Sequence, residues 1–155
     1  MPIQKPHRSK QDYSTPDDLL IAIQERFGEI KYDLAASEDN HVSEHLYFTE
    51  ETDSLAQNWH KLDGLMWCNP PFANIEPWVK KAADSVRMNP RIHLLMLLPA
   101  SVGSNWYKDY GFGFAQTLFL NPRLTFKGMT TPYPKDIFAL YYHAGLTGQS
   151  VWKWK

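Results

Sequence analysis

The stretch "LMWCNPPFANIEPWV", Leu65 to Val79, decides how the rest of the chain is read. Leu65 to Cys68 form an apolar run of strand length, while Ile75, Trp78 and Val79 open a helical spacing that continues through Ala82 and Val86. Between them Pro70 and Pro71 fix two successive φ angles and remove two backbone donors, so the carbonyls there and the Asn69 side chain are held stiffly. A buried strand, a rigid turn and an amphipathic helix make one unit of an α/β sheet.

The flanking segments extend that pattern. On the N-terminal side, "STPDDLLIAIQERFG" predicts a helix with Ser14 or Thr15 as N-cap, Pro16 at its first position and Leu19, Leu20, Ile23 and Phe27 on its buried face. "EIKYDLAAS" predicts a strand over Ile30 to Leu34 that breaks into a loop of small residues, and "HLYFT" a second strand that ends at Glu50 and Glu51. Further on, "RIHLLMLLP" is apolar on both faces, as a central strand covered by helices must be. "SNWYKDY" predicts a short helix, and "AQTLFL" and "DIFALYYH" the last two strands, joined by the long, proline-rich "NPRLTFKGMTTPYP". The fold class predicted is an open, mostly parallel α/β sheet flanked by helices and closed by an antiparallel edge strand. Asp33, Glu50 and Asn69 then gather at the carboxyl ends of strands, where such sheets bind ligands.

At 155 residues the chain is the size of one domain, predicted over 13–155 behind a flexible basic arm, 1–12, that carries Lys5, Arg8 and Lys10. The N-terminus lacks the apolar segment of a signal peptide, and "IHLLMLLPA" is far short of a bilayer span, so a cytoplasmic protein without a membrane partner is expected. The solitary Cys68 excludes an internal disulfide and the multi-cysteine ligand set of zinc-dependent base deaminases. Within an apolar strand its thiol reads as core rather than nucleophile. A net charge of −1 supplies no overall attraction to nucleic acid, which leaves any such contact to local patches. Arg123, Lys127, Lys135, Lys153 and Lys155 crowd the last third, whereas residues 33–53 are acidic.

Asn69-Pro70-Pro71-Phe72 resembles the "[D/N/S]-P-P-[Y/F]" motif of amino methyltransferases, which use S-adenosylmethionine to methylate an exocyclic amine of adenine or cytosine. With "TP" at Thr15-Pro16, "DLAAS-DN" from Asp33 to Asn40, "FT-DSL-W", "LLPAS-W" and "PRLTF-G", the chain resembles the small phage-encoded, Dam-like DNA N6-adenine methyltransferases over roughly residues 13–143. The resemblance implies a Rossmann-like methyltransferase fold, S-adenosylmethionine as cofactor and duplex DNA with an adenine target as partner. It also implies a phage or prophage gene acting in a bacterial cell. Asn69, Pro70, Pro71 and Phe72 become the catalytic set, and Thr15, Pro16, Asp33, Ala35, Ala36, Asn40 and Asp53 the cofactor-binding set.

The chemistry fits those residue types. An aryl amine is a poor nucleophile until its hydrogens are held by acceptors that favour a tetrahedral nitrogen; the Asn69 side-chain oxygen and the Pro70 carbonyl are such acceptors. Phe72 offers a stacking surface to a base rotated out of the duplex. Arg123, Phe126 and Lys127 are the candidate DNA contacts, with Phe126 placed to wedge or stack beside the flipped base. Ala35, Ala36 and Ser37 stand where most methyltransferases have glycines, so the loop needs a different shape. No insertion is large enough for a separate target-recognition domain, and a homodimer is the candidate source of further specificity. A methyltransferase of RNA adenine or of a protein amide, and a catalytically silent DNA-binding protein, are the alternatives.

Overall fold

The computed structural model describes residues 13–43 and 46–155; the basic arm, 1–12, lies outside the described residues. In chain order the elements are α1 (Asp17–Phe27), β1 (Ile30–Asp33), β2 (Leu46–Tyr47), β3 (Leu65–Cys68), α2 (Glu76–Met88), β4 (His93–Pro99), α3 (Asn105–Tyr110), β5 (Gln116–Asn121), β6 (Ile137–Tyr142) and β7 (Gln149–Lys153). Two 3-10 turns, Ser54–Ala56 and Trp59–Lys61, lie between β2 and β3.

The strands form one seven-stranded sheet in the order β2-β1-β3-β4-β6-β5-β7. β2, β1, β3 and β4 run parallel, β6 runs against both of its neighbours, and β7 is parallel to β5. From β1 the chain moves outward to β2 and then returns to the other side as β3, so the strand order reverses between β1 and β3. Loops leaving those two strands part to opposite directions and open a crevice at their carboxyl ends. Asp33 pairs with Trp67 across this boundary, which sets Asn69 two residues beyond the same register.

The expected antiparallel edge is corrected by this order. β5 and β6 do pair antiparallel, but β6 is inserted between β4 and β5, and the edge belongs to β7. Burial explains the exchange: every residue of β6 is buried, whereas four of the five residues of β7 are exposed. A strand apolar on both faces loses hydrophobic stabilisation at an edge, and Lys153 suits a margin that must not recruit another strand.

Alternation along the central strands feeds two cores. Leu65 and Trp67 of β3 and Leu95 and Leu97 of β4 pack with Leu19 and Ile23 of α1. Met66, Cys68, Leu94, Met96 and Leu98 face the other way, against Val79, Ala82 and Val86 of α2 and Tyr107 of α3. The doubly apolar character of "HLLMLL" is therefore used on both sides. Burial raises the Cys68 thiol well above its ordinary pKa, so it stays a neutral core group.

α1 starts one residue later than its sequence implies. Pro16 occupies the cap position with an extended backbone, and no side chain caps the helix. The side chains of Ser14 and Thr15 are engaged in the crevice instead.

At the amino end of β4, His93 stacks on His143 with ring centres 3.8 Å apart, and its Nδ1 lies 2.7 Å from Tyr141 Oη. Burial, and then the neighbouring His143, lower the His93 pKa below its ordinary 6.5, with Asp63 partly opposing them. Between the folded value and 6.5 the unfolded chain binds more protons, so this contribution to stability is complete above 6.5 and declines as pH falls through that window. Denaturant midpoints measured across about pH 5 to 8 should rise toward neutrality, and His93→Gln should flatten the rise.

Candidate active site

The turn after β3 places a half-buried Asn69 and a buried Pro70 at the mouth of the crevice. Asn69 Nδ2 donates to the Tyr13 carbonyl at 2.8 Å and to Thr15 Oγ1 at 3.3 Å. Among the described residues no donor reaches Asn69 Oδ1 or the Pro70 carbonyl, which leaves both as acceptors at the same turn. Thr15, at 5% exposure, is turned toward Asn69.

Asp33 is buried at the end of β1, with 4% of its surface exposed, and shapes the loop that follows. Its Oδ1 accepts from the Ala35 N–H at 3.2 Å and its Oδ2 from the Val42 N–H at 2.9 Å. The Ala36 N–H donates to the Phe48 carbonyl, and Ser37 and Asn40 close a turn by reciprocal backbone bonds. No residue from Leu34 to Val42 takes a positive φ, so this loop has no need of glycine. Burial raises the Asp33 pKa despite the two backbone donors and His41, which all favour the carboxylate.

Beside Asn69 a cleft of about 830 Å³ opens along this loop. Ala35, Ala36 and Asn40 form one wall, and Glu50, Glu51 and Asp53 a polar rim. Phe48, Leu55 and Trp78 supply an apolar face, while Asn69 and Pro71 close the end. Asp53 has φ 52°, a left-handed conformation that Asp tolerates better than most residues. The fully buried Trp59 supports the turn beneath it, donating Nε1–H to the Ser54 carbonyl at 3.0 Å. Phe48, Leu55 and Trp78 were missed as cleft residues because apolar side chains in a strand or on a helical face are indistinguishable from core. Trp78 carried the one available signal, its place a single turn after the tetrapeptide.

The connection from β5 to β6 returns to the same mouth. Phe126 is 1% exposed and lies under Tyr13, rings stacked at 5.1 Å, so it presents no face to a base. Half-buried Tyr133 stands beside Phe72 instead, edge-on at 6.1 Å. Tyr13 closes the group at 5.8 Å from Phe72 and 5.5 Å from Tyr133. Arg123 and Lys127 are exposed, as a DNA contact requires, and each is paired with an acid: Arg123 with Asp136 at 3.2 Å, Lys127 with Asp17 at 2.8 Å. Exposed pairs of this kind contribute little and exchange readily for another anion. Pro16 adjoins the mouth only through the backbone it stiffens, between Thr15 and the first turn of α1.

Asp33→Asn retains one acceptor but turns an N–H toward the other backbone donor. It should destabilise the fold by about 1–3 kcal/mol in urea unfolding, because the buried side chain then sets an N–H against a backbone donor that loses its partner.

Residues 3–136 match the family model for DNA N-6-adenine-methyltransferase (Dam). A protein of Escherichia phage T1 described as a DNA N-6-adenine-methyltransferase is 32% identical over 139 residues, which are 90% of this chain and 56% of that protein. The chain thus spans little more than half the length of that relative. By the extent of the family match, the chain belongs to the DNA N-6-adenine-methyltransferase family.

Proposed function

We propose that the chain is an S-adenosylmethionine-dependent DNA methyltransferase, of Rossmann-like fold, that acts on the N6 amine of adenine. The observation that carries the reading is the placement of Asn69, whose side-chain oxygen is an unengaged acceptor on a rigid turn beside the equally unengaged Pro70 carbonyl, in the lining of a cleft large enough for a nucleoside cofactor. The lining suits that cofactor. Small residues at Ala35 and Ala36 allow close approach of the backbone, the acids at Glu50 and Asp53 suit ribose hydroxyls, and Phe48, Leu55 and Trp78 suit a flat base. When bound, the cofactor supplies an electrophilic methyl group on a sulfonium.

The chain's own residues then do three things. Asn69 Oδ1 and the Pro70 carbonyl each accept one hydrogen from the adenine amine, drawing the nitrogen toward tetrahedral geometry and stabilising the positive charge it develops. Neither is a base at neutral pH, so they stabilise that charge, and the proton is shed to solvent from the methylated, acidic ammonium nitrogen. Phe72, with Tyr133 edge-on, receives the face of the adenine and offsets part of the cost of unstacking it. Arg123 and Lys127 release Asp136 and Asp17 in favour of DNA phosphates. The reaction belongs to the bacterial cytoplasm if the gene is a phage or prophage gene.

Transfer of tritiated methyl to duplex DNA, followed by nucleoside analysis, should place the label in N6-methyladenine. Label found only in RNA or in protein would redirect the assignment. Asn69→Ala should reduce turnover by about 100-fold or more while calorimetry shows cofactor affinity retained. Phe72→Ala should weaken binding of an extruded adenine by about 1–3 kcal/mol, read as a rise in KM for DNA.

A further inference from the structure

We infer that the Tyr13 carbonyl and the Thr15 hydroxyl are positioning groups that lock the Asn69 amide with its oxygen toward the reacting amine, and that they make an amide obligatory at that position. This inference rests on the methyltransferase reading above.

The argument begins with what a carbonyl is able to do. The Tyr13 oxygen has no proton to donate, so the Asn69 atom 2.8 Å from it must be the nitrogen, and Thr15 Oγ1 takes the second contact at 3.3 Å. Oδ1 is thereby directed away from both. A freely rotating amide would spend part of its time presenting its own NH2 to the NH2 of adenine, where two donors meet and no bond forms. The bracket removes that state.

The bracket is itself anchored from three sides. Ser14, between its two members, accepts from the Lys127 N–H at 3.1 Å through its carbonyl and from Asn40 Nδ2 at 3.0 Å through its hydroxyl. The Tyr13 ring is stacked on the buried Phe126. A carboxylate in place of the Asn69 amide would set one of its oxygens against the Tyr13 carbonyl oxygen with no proton between them. Protonating that carboxyl restores one donor and the bracket with it, which predicts a pH signature.

Two measurements on the full chain test this. Solution NMR without substrate should show the Asn69 side-chain amide protons exchanging with solvent at least about tenfold slower than a free amide, in the wild type and in Thr15→Ser, and faster in Thr15→Val. In methyl transfer to adenine-containing duplex DNA, Thr15→Val should lower kcat by about 10- to 100-fold and leave KM for DNA nearly unchanged, with Thr15→Ser restoring turnover. Asn69→Asp should be inactive at neutral pH and gain activity as pH falls, whereas the wild type does not. Free exchange of both amide protons, undiminished kcat in Thr15→Val, or an Asn69→Asp variant active at neutral pH would overturn the inference. Slow exchange in a wild type that methylates no adenine would overturn the methyltransferase reading and the bracket's role with it. Methylation with free exchange would overturn the bracket alone.

Discussion

The buried carboxylate of Asp33 is the interaction on which the crevice depends. It stands at the end of β1, where the strand order reverses, and its two oxygens hold the backbone at Ala35 and Val42. Those two bonds bend the chain into a wall that lies open to the cleft without any residue entering the left-handed region. Taking a carboxylate out of water is unfavourable, and its raised pKa records that cost. The compensation is local: two part-buried N–H groups find their partners in it.

Around that wall, segments distant in sequence converge on Asn69. Tyr13 and Thr15 hold its amide, Ser14 ties them to Asn40, and Lys127 fastens the same segment to the loop between β5 and β6. Tyr13, Phe72, Phe126 and Tyr133 pack into one aromatic group beneath the turn. Preorganisation of this kind matters where two weak acceptors must stabilise a developing charge, since they act only if already aimed. The turn is stiff because of its prolines, but its direction is set by neighbours more than fifty residues away in sequence.

Much of the fold was legible because periodicity is a local property. Strand and helix positions from α1 to β6 follow from hydrophobic spacing and from Pro and Gly punctuation, and "HLLMLL" announces a strand covered on both faces. The exception at the end of the chain is instructive: "QSVWK" is too polar and short to read as a strand, and it becomes one because β5 offers it an unpaired edge. Likewise "IFALYY" reveals burial on both faces but not the neighbours that bury it. For the site, the tetrapeptide and Asp33 were visible as residue types in a characteristic order. Phe126 and Tyr133 were not separable, because two aromatics in one loop look alike until packing hides one of them.

The amino-acid sequence by itself determined the strand–turn–helix unit, the rigidity of Asn69-Pro70-Pro71-Phe72 and the kinship that goes with it. Those features depend on φ restriction, side-chain period and residue identity, all carried by neighbours along the chain. Tertiary structure alone decided which atom of the Asn69 amide faces the crevice, which aromatics stand beside Phe72, and why a loop without glycine still makes a cleft wall. Each is settled by a hydrogen bond or a packing contact between distant segments. Pairings of that kind exist only once the sheet has brought the segments together.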